Sequence, residues 1–298
     1  MHLLIALFYY CILIPLSHLP MRVLYWISDI LFLIFYYTGY RKQVIKGNIY
    51  RSFPEKSDKE KDFIVRTFYK HFCDLIVESL KYFTISKEDA LKHMKMENLS
   101  TINDFFNEGK NVIIAGGHYN NWELFAITIS EFIPFQTVAI YSPLKNKFFD
   151  DKMKETRGKY GLKMIPTKQI GHFLNHNKDK AIATIFGFDQ SPSNAYNAYW
   201  MQFLNQETGI LLGVEKYAYK YNMPVYYGQI SKVKRGYYTL NLIEVCKDPS
   251  NMKEGSITEN ITHLLENDIR QNPPFWLWSH KRWKRKKPED YILRSLRS

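Results

Sequence analysis

The residues best suited to chemistry fall in one stretch, Asn111-Val-Ile-Ile-Ala-Gly-Gly-His-Tyr-Asn-Asn-Trp-Glu-Leu-Phe-Ala126. An apolar run reads as a strand and ends in Gly116 and Gly117, which allow close approach of a ligand to the backbone. His118 comes next, and Asn120 or Asn121 is a natural N-cap for the helix that carries Glu123. In α/β sheets, strand ends facing helix N-termini are the usual place for active sites, because free amides there stabilise negative charge. His118 and Glu123 are five residues apart, about 500° around an ideal helix, so they share no helical face. With His118 in the loop, the chain can bend until the Glu123 carboxylate reaches a ring nitrogen. That contact would fix the tautomer and leave the other nitrogen as a general base. The Gly116 and Gly117 amides, or the helix start, are candidate donors for a developing oxyanion.

Competing chemistries lack their residues. There is no His-Glu-x-x-His, no Cys or His pair at zinc spacing and no Gly-x-Ser-x-Gly elbow. No metal or cofactor is expected. His172 and His176 are four apart without a third ligand nearby and read as surface residues. Asn98-Leu-Ser and Asn260-Ile-Thr are formal glycosylation sequons, which mean nothing if the chain faces a cytosol.

The elements that must position His118 follow from hydrophobic pattern. Strands are expected at 111–115, 137–141, 181–186, 199–204, 224–230 and 237–245, with helices near 122–131, 145–160, 209–221 and 256–270. This alternation predicts an α/β fold, a mixed sheet flanked by helices. Upstream, Ser57-Asp-Lys-Glu60 has the form of a capping box. Behind it Ile64, Phe68, Phe72, Ile76 and Leu80 make the stripe of an amphipathic helix, with Glu78 beside it. No repeat or low-complexity linker divides the chain, so residues 41–298 are read as one catalytic domain with a basic tail.

Residues 1–40 differ. Arg22 and Asp29 are their only formal side-chain charges, and Leu3–Leu16 and Val23–Tyr40 are apolar runs. The first run is short of the ~20 residues a spanning helix needs. A cleaved signal peptide would show a basic start and a small-x-small site, and neither is present. A retained N-terminal membrane anchor or hairpin is expected, with Arg41, Lys42 and Lys46 as its cytoplasmic flank. The net charge of +12 favours an anionic partner, and three widely spaced cysteines point to reduced thiols rather than a disulfide scaffold. Lys281-Arg-Trp-Lys-Arg-Lys-Lys287 concentrates that charge. Nucleic-acid phosphates are one reading of this tract; with Trp276, Trp278, Trp283 and the apolar N-terminus, anionic lipid headgroups are the better one.

Gly117-His-Tyr-Asn-Asn-Trp-Glu123 in this context resembles the His-x4-acid motif of the bacterial lipid A biosynthesis (lauroyl/myristoyl) acyltransferases, within the lysophospholipid acyltransferase superfamily. The resemblance covers nearly the whole chain. Gly39-Tyr-Arg-Lys and Asn48-Ile-Tyr-Arg-Ser-Phe-Pro-Glu55 are similar to the juxtamembrane signature, and the segment around Glu78 to the acid-containing stretch after it. Arg157-Gly-Lys-Tyr-Gly161 resembles the family's Arg-x-x-x-Gly element, and Asp189-Gln190 its Asp-Gln pair. Phe203-Leu-Asn-Gln-Glu-Thr-Gly209 resembles the segment that carries a Thr before a helix, here Thr208. Trp278-Ser-His-Lys-Arg-Trp-Lys284 resembles the closing motif. Asn205-Gln206-Glu207 departs from the usual Gly and small residues.

The resemblance implies a glycerol-phosphate-acyltransferase-like fold and transfer of a fatty acyl chain from a thioester to a hydroxyl of a lipid A precursor. It implies His118 as general base assisted by Glu123, and substrate contacts from Gly116, Gly117, Asn121, Arg157, Asp189, Gln190 and Thr208. The donor it implies is acyl carrier protein, an acidic partner for a basic surface, or acyl-CoA. The location it implies is the bacterial inner membrane, catalytic domain on the cytoplasmic side. Other acceptors are a lysophospholipid or amino-lipid; a non-catalytic basic membrane- or nucleic-acid-binding protein is the more distant alternative. Arg157, on a helix that returns to the sheet, is expected at the same edge as His118 and suited to bidentate phosphate binding.

Overall fold

A computed structural model describes residues 2–98, 100–177, 180–293 and 295–296. The Asn98 sequon therefore includes one residue, Leu99, outside the described set. The chain opens with α1 (His2–Phe8), one π-helical turn over Tyr9–Leu13 and α2 (Ile14–His18). Pro20 precedes α3 (Met21–Thr38), which stops where Gly39 takes a positive φ of 75°. This is the C-terminal position where a Cβ is least tolerated. Next come α4 (Lys42–Ser52) and the long α5 (Asp58–Lys81). The expected capping box opens α5: the Ser57 hydroxyl accepts from the Glu60 amide and the Glu60 carboxylate accepts from the Ser57 amide.

α6 (Lys87–His93), β1 (Met94–Met96) and α7 (Ser100–Asn107) lead into β2 (Val112–Gly116), α8 (Trp122–Phe132) and β3 (Gln136–Tyr141). α9 (Lys147–Gly158), β4 (Lys163–Pro166), α10 (Ile170–His176) and β5 (Ile182–Gly187) follow. A separate hairpin of β6 (Ala198–Phe203) and β7 (Gln206–Leu211) precedes α11 (Gly213–Tyr221), β8 (Val225–Lys234), β9 (Tyr237–Cys246) and α12 (Ser256–Gln271). The seven-stranded sheet has the order β1-β9-β8-β2-β5-β3-β4. Its pairings are parallel except β8 with β9, so the mixed α/β sheet flanked by helices is as expected.

Both faces of the sheet are covered, which is why its central strands are apolar throughout rather than alternating. Ile113 and Ala115 of β2 pack into a core built with α4, α5, α11 and α12. Val112 and Ile114 point the other way, into a core with α6, α7 and α8. The expected helix over 209–221 is shorter: residues 206–211 form β7, and the helix begins at Gly213. Leu204 and Asn205, both at positive φ, make the two-residue turn that folds β7 back on β6, so Thr208 lies in the strand that runs into α11.

α3 lies along α5 through a polar seam. Ser28 donates to Asp74 (2.7 Å), Tyr25 donates to Glu78 (2.9 Å), and Arg235 bonds both Asp29 and Asp74. Its outer face leaves Trp26, Ile30, Leu33, Ile34 and Tyr37 exposed. α3 is the one helix among the described residues long and apolar enough to cross a membrane.

Candidate active site

The sheet register brings the site together. β2 and β5 are parallel neighbours with Gly116 opposite Gly187, so the residues two places beyond each emerge side by side at the same edge. Those residues are His118 and Asp189. The His118 ring donates from Nδ1 to Asp189 Oδ1 at 2.7 Å, and the His118 backbone amide donates to Asp189 Oδ2 at 2.8 Å. The Trp276 indole donates to the same Oδ2 at 2.8 Å. Asp189 is 4% exposed, and three donors on a buried carboxylate hold one orientation. Gln190 sits at the far side of the ring, its amide nitrogen 3.2 Å from His118 Nε2. With Nδ1 protonated against Asp189, Nε2 carries the lone pair and accepts from the Gln190 amide.

Glu123 does not make the contact expected of it. Asp189 occupies Nδ1, and Glu123 instead accepts two bonds from Arg157, from Nε at 2.8 Å and from Nη2 at 2.5 Å. The cause is local. Asn121 caps α8 by accepting from the Leu124 amide (2.8 Å), which places Glu123 in the first helical turn, while His118 is still in the loop three residues before the cap. Arg157, in the last turn of α9, does reach this edge, but its fork is filled by a carboxylate of the protein. Trp122 lies between the two: its indole donates to Glu123 Oε1 at 3.2 Å, and its ring packs edge-on to the His118 ring.

The remaining expected site residues divide. Gly117 is a close-approach position: a Cβ there would sit 2.8 Å from the Leu265 methyls and 3.4 Å from Asp189 Oδ2. Gly116 is paired within β2 and its carbonyl accepts from the Phe188 amide. Asn121 is fully buried, its amide donating to Glu78 and to the Tyr82 hydroxyl, so it holds the loop. Thr208 is buried; its hydroxyl donates to the Gln206 carbonyl and accepts from the Trp283 indole.

A segment after α12, which the sequence reading assigned to a membrane surface, frames the catalytic loop. Asn120 takes a left-handed φ of 52°, its amide donates to the Phe275 carbonyl, and the Leu277 amide donates to the His118 carbonyl. Trp276 and Trp278 are 2% and 0% exposed, so neither can reach a headgroup. The sequence pattern did not reveal that Trp276 holds Asp189. Its only signal was a large amphipathic ring in an apolar run, which suits an interface and a buried donor equally.

Electrostatics follow from these contacts. Desolvation pulls the His118 pKa down, but the Asp189 carboxylate and its hydrogen bond, with Glu123 beyond, more than offset this, and the pKa is raised. Burial would raise Asp189, yet His118 and the Trp276 donor hold it down at about 2. Burial likewise opposes Glu123, and Arg157 overcomes it, leaving the Glu123 pKa lowered.

An imidazole oriented by a buried carboxylate, next to a small-residue strand end and a helix start, is equipped, in its neutral form, to take a proton from a hydroxyl. The family model for bacterial lipid A biosynthesis acyltransferases matches residues 2–285. The chain belongs to that family. It is an acyltransferase with an acyl donor and a lipid acceptor, and its family is membrane-associated in bacteria. No curated protein matches the chain.

Proposed function

We propose that this lipid A acyltransferase moves a fatty acyl chain from a thioester to a hydroxyl of a lipid A precursor, with His118 as general base. The observation that carries this reading is the 2.7 Å Asp189–His118 bond, which leaves the lone pair on Nε2. An alcohol is a weak nucleophile near neutral pH, so Nε2 takes the hydroxyl proton as the oxygen attacks the thioester carbonyl. The tetrahedral intermediate carries negative charge on the former carbonyl oxygen. Gln190, whose amide lies beside Nε2, and the Gly117 amide are the donors assigned to it in this reading. Collapse breaks the C–S bond, and the imidazolium returns its proton to the departing thiolate. A thioester needs no covalent enzyme intermediate for this.

Glu123 assists from a distance: held ionised by Arg157, it adds a second negative charge near the imidazolium. Residues 1–40 serve as the membrane element and residues 41–298 as the catalytic unit on the cytoplasmic side, where acyl thioesters are made. Incubation of the full chain with acyl carrier protein thioester or acyl-CoA, and with a lipid A precursor, tests the reading. Mass spectrometry is expected to show one added acyl chain and one released thiol. Acylation of a lysophospholipid or amino-lipid in place of the precursor would reassign the acceptor; no transfer to any of the three would overturn the reaction.

A further inference from the structure

Three cations surround a cavity of about 200 Å³ between α4 and the C-terminal segment. Arg51 comes from the last turn of α4, and Lys281 and Lys284 from the segment after Trp278; Gln43, Val44, Asn48 and Trp283 complete the wall. No carboxylate lines it. Arg51 is held in place by neutral acceptors only, its Nε donating to Gln206 Oε1 (2.9 Å) and its Nη2 to Asn48 Oδ1 (3.3 Å). Among the described residues, none of the three cations has an ion-pair partner within 4 Å, whereas Lys287 nearby is paired with Glu207. Unneutralised charge in a concave site is the pattern of an anion receptor, and a guanidinium presents a fork suited to phosphate oxygens. At about 30 Å³ per water, the space admits a phosphate group with a few waters.

Two features say where the anion comes from. The cavity wall begins at Gln43, in the first turn of α4, and α3, the helix able to cross a membrane, ends only at Thr38. The pocket is therefore close along the chain to the element best suited to meet a bilayer. The wall is also continuous with the catalytic frame. Asn48 donates to the carbonyls of Trp278 and His280, the Trp283 ring packs against Trp276, and Trp276 holds Asp189.

We infer that this cavity binds the phosphate monoester of a lipid headgroup and so anchors the acceptor beside His118, an inference that rests on the acyltransferase reading for the identity of the lipid but not for binding itself. Native mass spectrometry of the full chain in detergent, titrated with phosphatidic acid, phosphatidylethanolamine or inorganic phosphate, tests it without turnover. Phosphatidic acid is expected to bind best, and Arg51→Gln and the pair Lys281→Gln/Lys284→Gln each to weaken it about tenfold. Arg51→Lys should retain part of the affinity. Lys216→Gln/Lys220→Gln on α11, with the same charge change, should leave it unaltered. His118→Ala should bind as wild type, so loss of turnover and loss of binding stay separable. Equal weakening by the α11 pair would show a diffuse field and overturn the site. Displacement of the lipid by inorganic phosphate at equal concentration would overturn the lipid source.

Discussion

Asp189 does at this edge what the spacing of the motif suggested for Glu123. From sequence, His118 and an acid were legible as a pair because both lie in one loop and helix start. Which acid touches the ring depends on the β2–β5 register, a contact between residues 71 positions apart that no local pattern encodes. The role of Asp189 gives a direct prediction. Asn in its place cannot stabilise the imidazolium and can favour the wrong tautomer. The Asp189→Asn rate should fall on the order of 10³–10⁴-fold, as the equivalent change does in a Ser–His–Asp triad. The pH profile should move as well. A raised His118 pKa places the acid limb of kcat/KM above pH 6.5, since protonation removes the base; without Asp189 that limb should shift to lower pH. For Arg157 the expectation changes from phosphate binding to holding Glu123. Arg157→Gln and Glu123→Gln should each cost about 1–3 kcal/mol in stability, between the values for exposed and buried pairs. Chemical denaturation of the double variant should show the losses to be strongly non-additive.

At the scale of elements, α5 ties the sheet to α3 and to the catalytic loop. The stripe from Ile64 to Leu80 advances four residues at a time, so it drifts about 40° per step around a 3.6-residue helix. Ile64 and Phe68 are buried, but by Leu80 the stripe has turned towards the surface and Val77 and Glu78 have taken the interior. Glu78 was visible in the sequence only as an acid beside a stripe; its partners come from three other elements. It accepts from Tyr25 on α3, Asn121 at the start of α8 and Tyr238 on β9. Tyr82, Asp74 and Lys232 are also nearby. Burial is the main reason its pKa is pushed up to about 7, with Asp74 adding to the rise and the Tyr donors and Lys232 opposing it. From pH 4.5 to 7 the unfolded chain releases this proton while the folded one keeps it. Stability should therefore fall by up to about 3 kcal/mol as pH rises through that window and level off above it. Thermal melts across that range should show the slope, and Glu78→Gln should flatten it. Gly117→Ala should lower both stability and turnover, because its Cβ must displace Leu265 or Asp189. Unchanged kinetics in that variant would show that the strand end tolerates a side chain.

The whole molecule joins an apolar N-terminus to a basic body carrying +12. Composition suggested a boundary at residue 40, and it marked the central strands well because both sheet faces are covered. It could not show that α3 is bonded to the body through Tyr25, Ser28 and Asp29, since isolated polar residues in an apolar run read simply as interruptions. A chain lacking residues 1–40 loses the Tyr25 donor to Glu78 and the Ser28 donor to Asp74, leaving two buried carboxylates short of partners. Its melting temperature should drop by several degrees, beyond any change in membrane binding; a melt identical to that of the full chain would show that α3 is only an anchor. The central claim is that His118 supplies the base for acyl transfer. The most direct test is turnover of purified His118→Ala beside wild type, with acyl thioester and lipid A precursor, read by mass spectrometry of the product. The account predicts a loss of several orders of magnitude with the melting temperature essentially kept; near-normal turnover in that variant would contradict it.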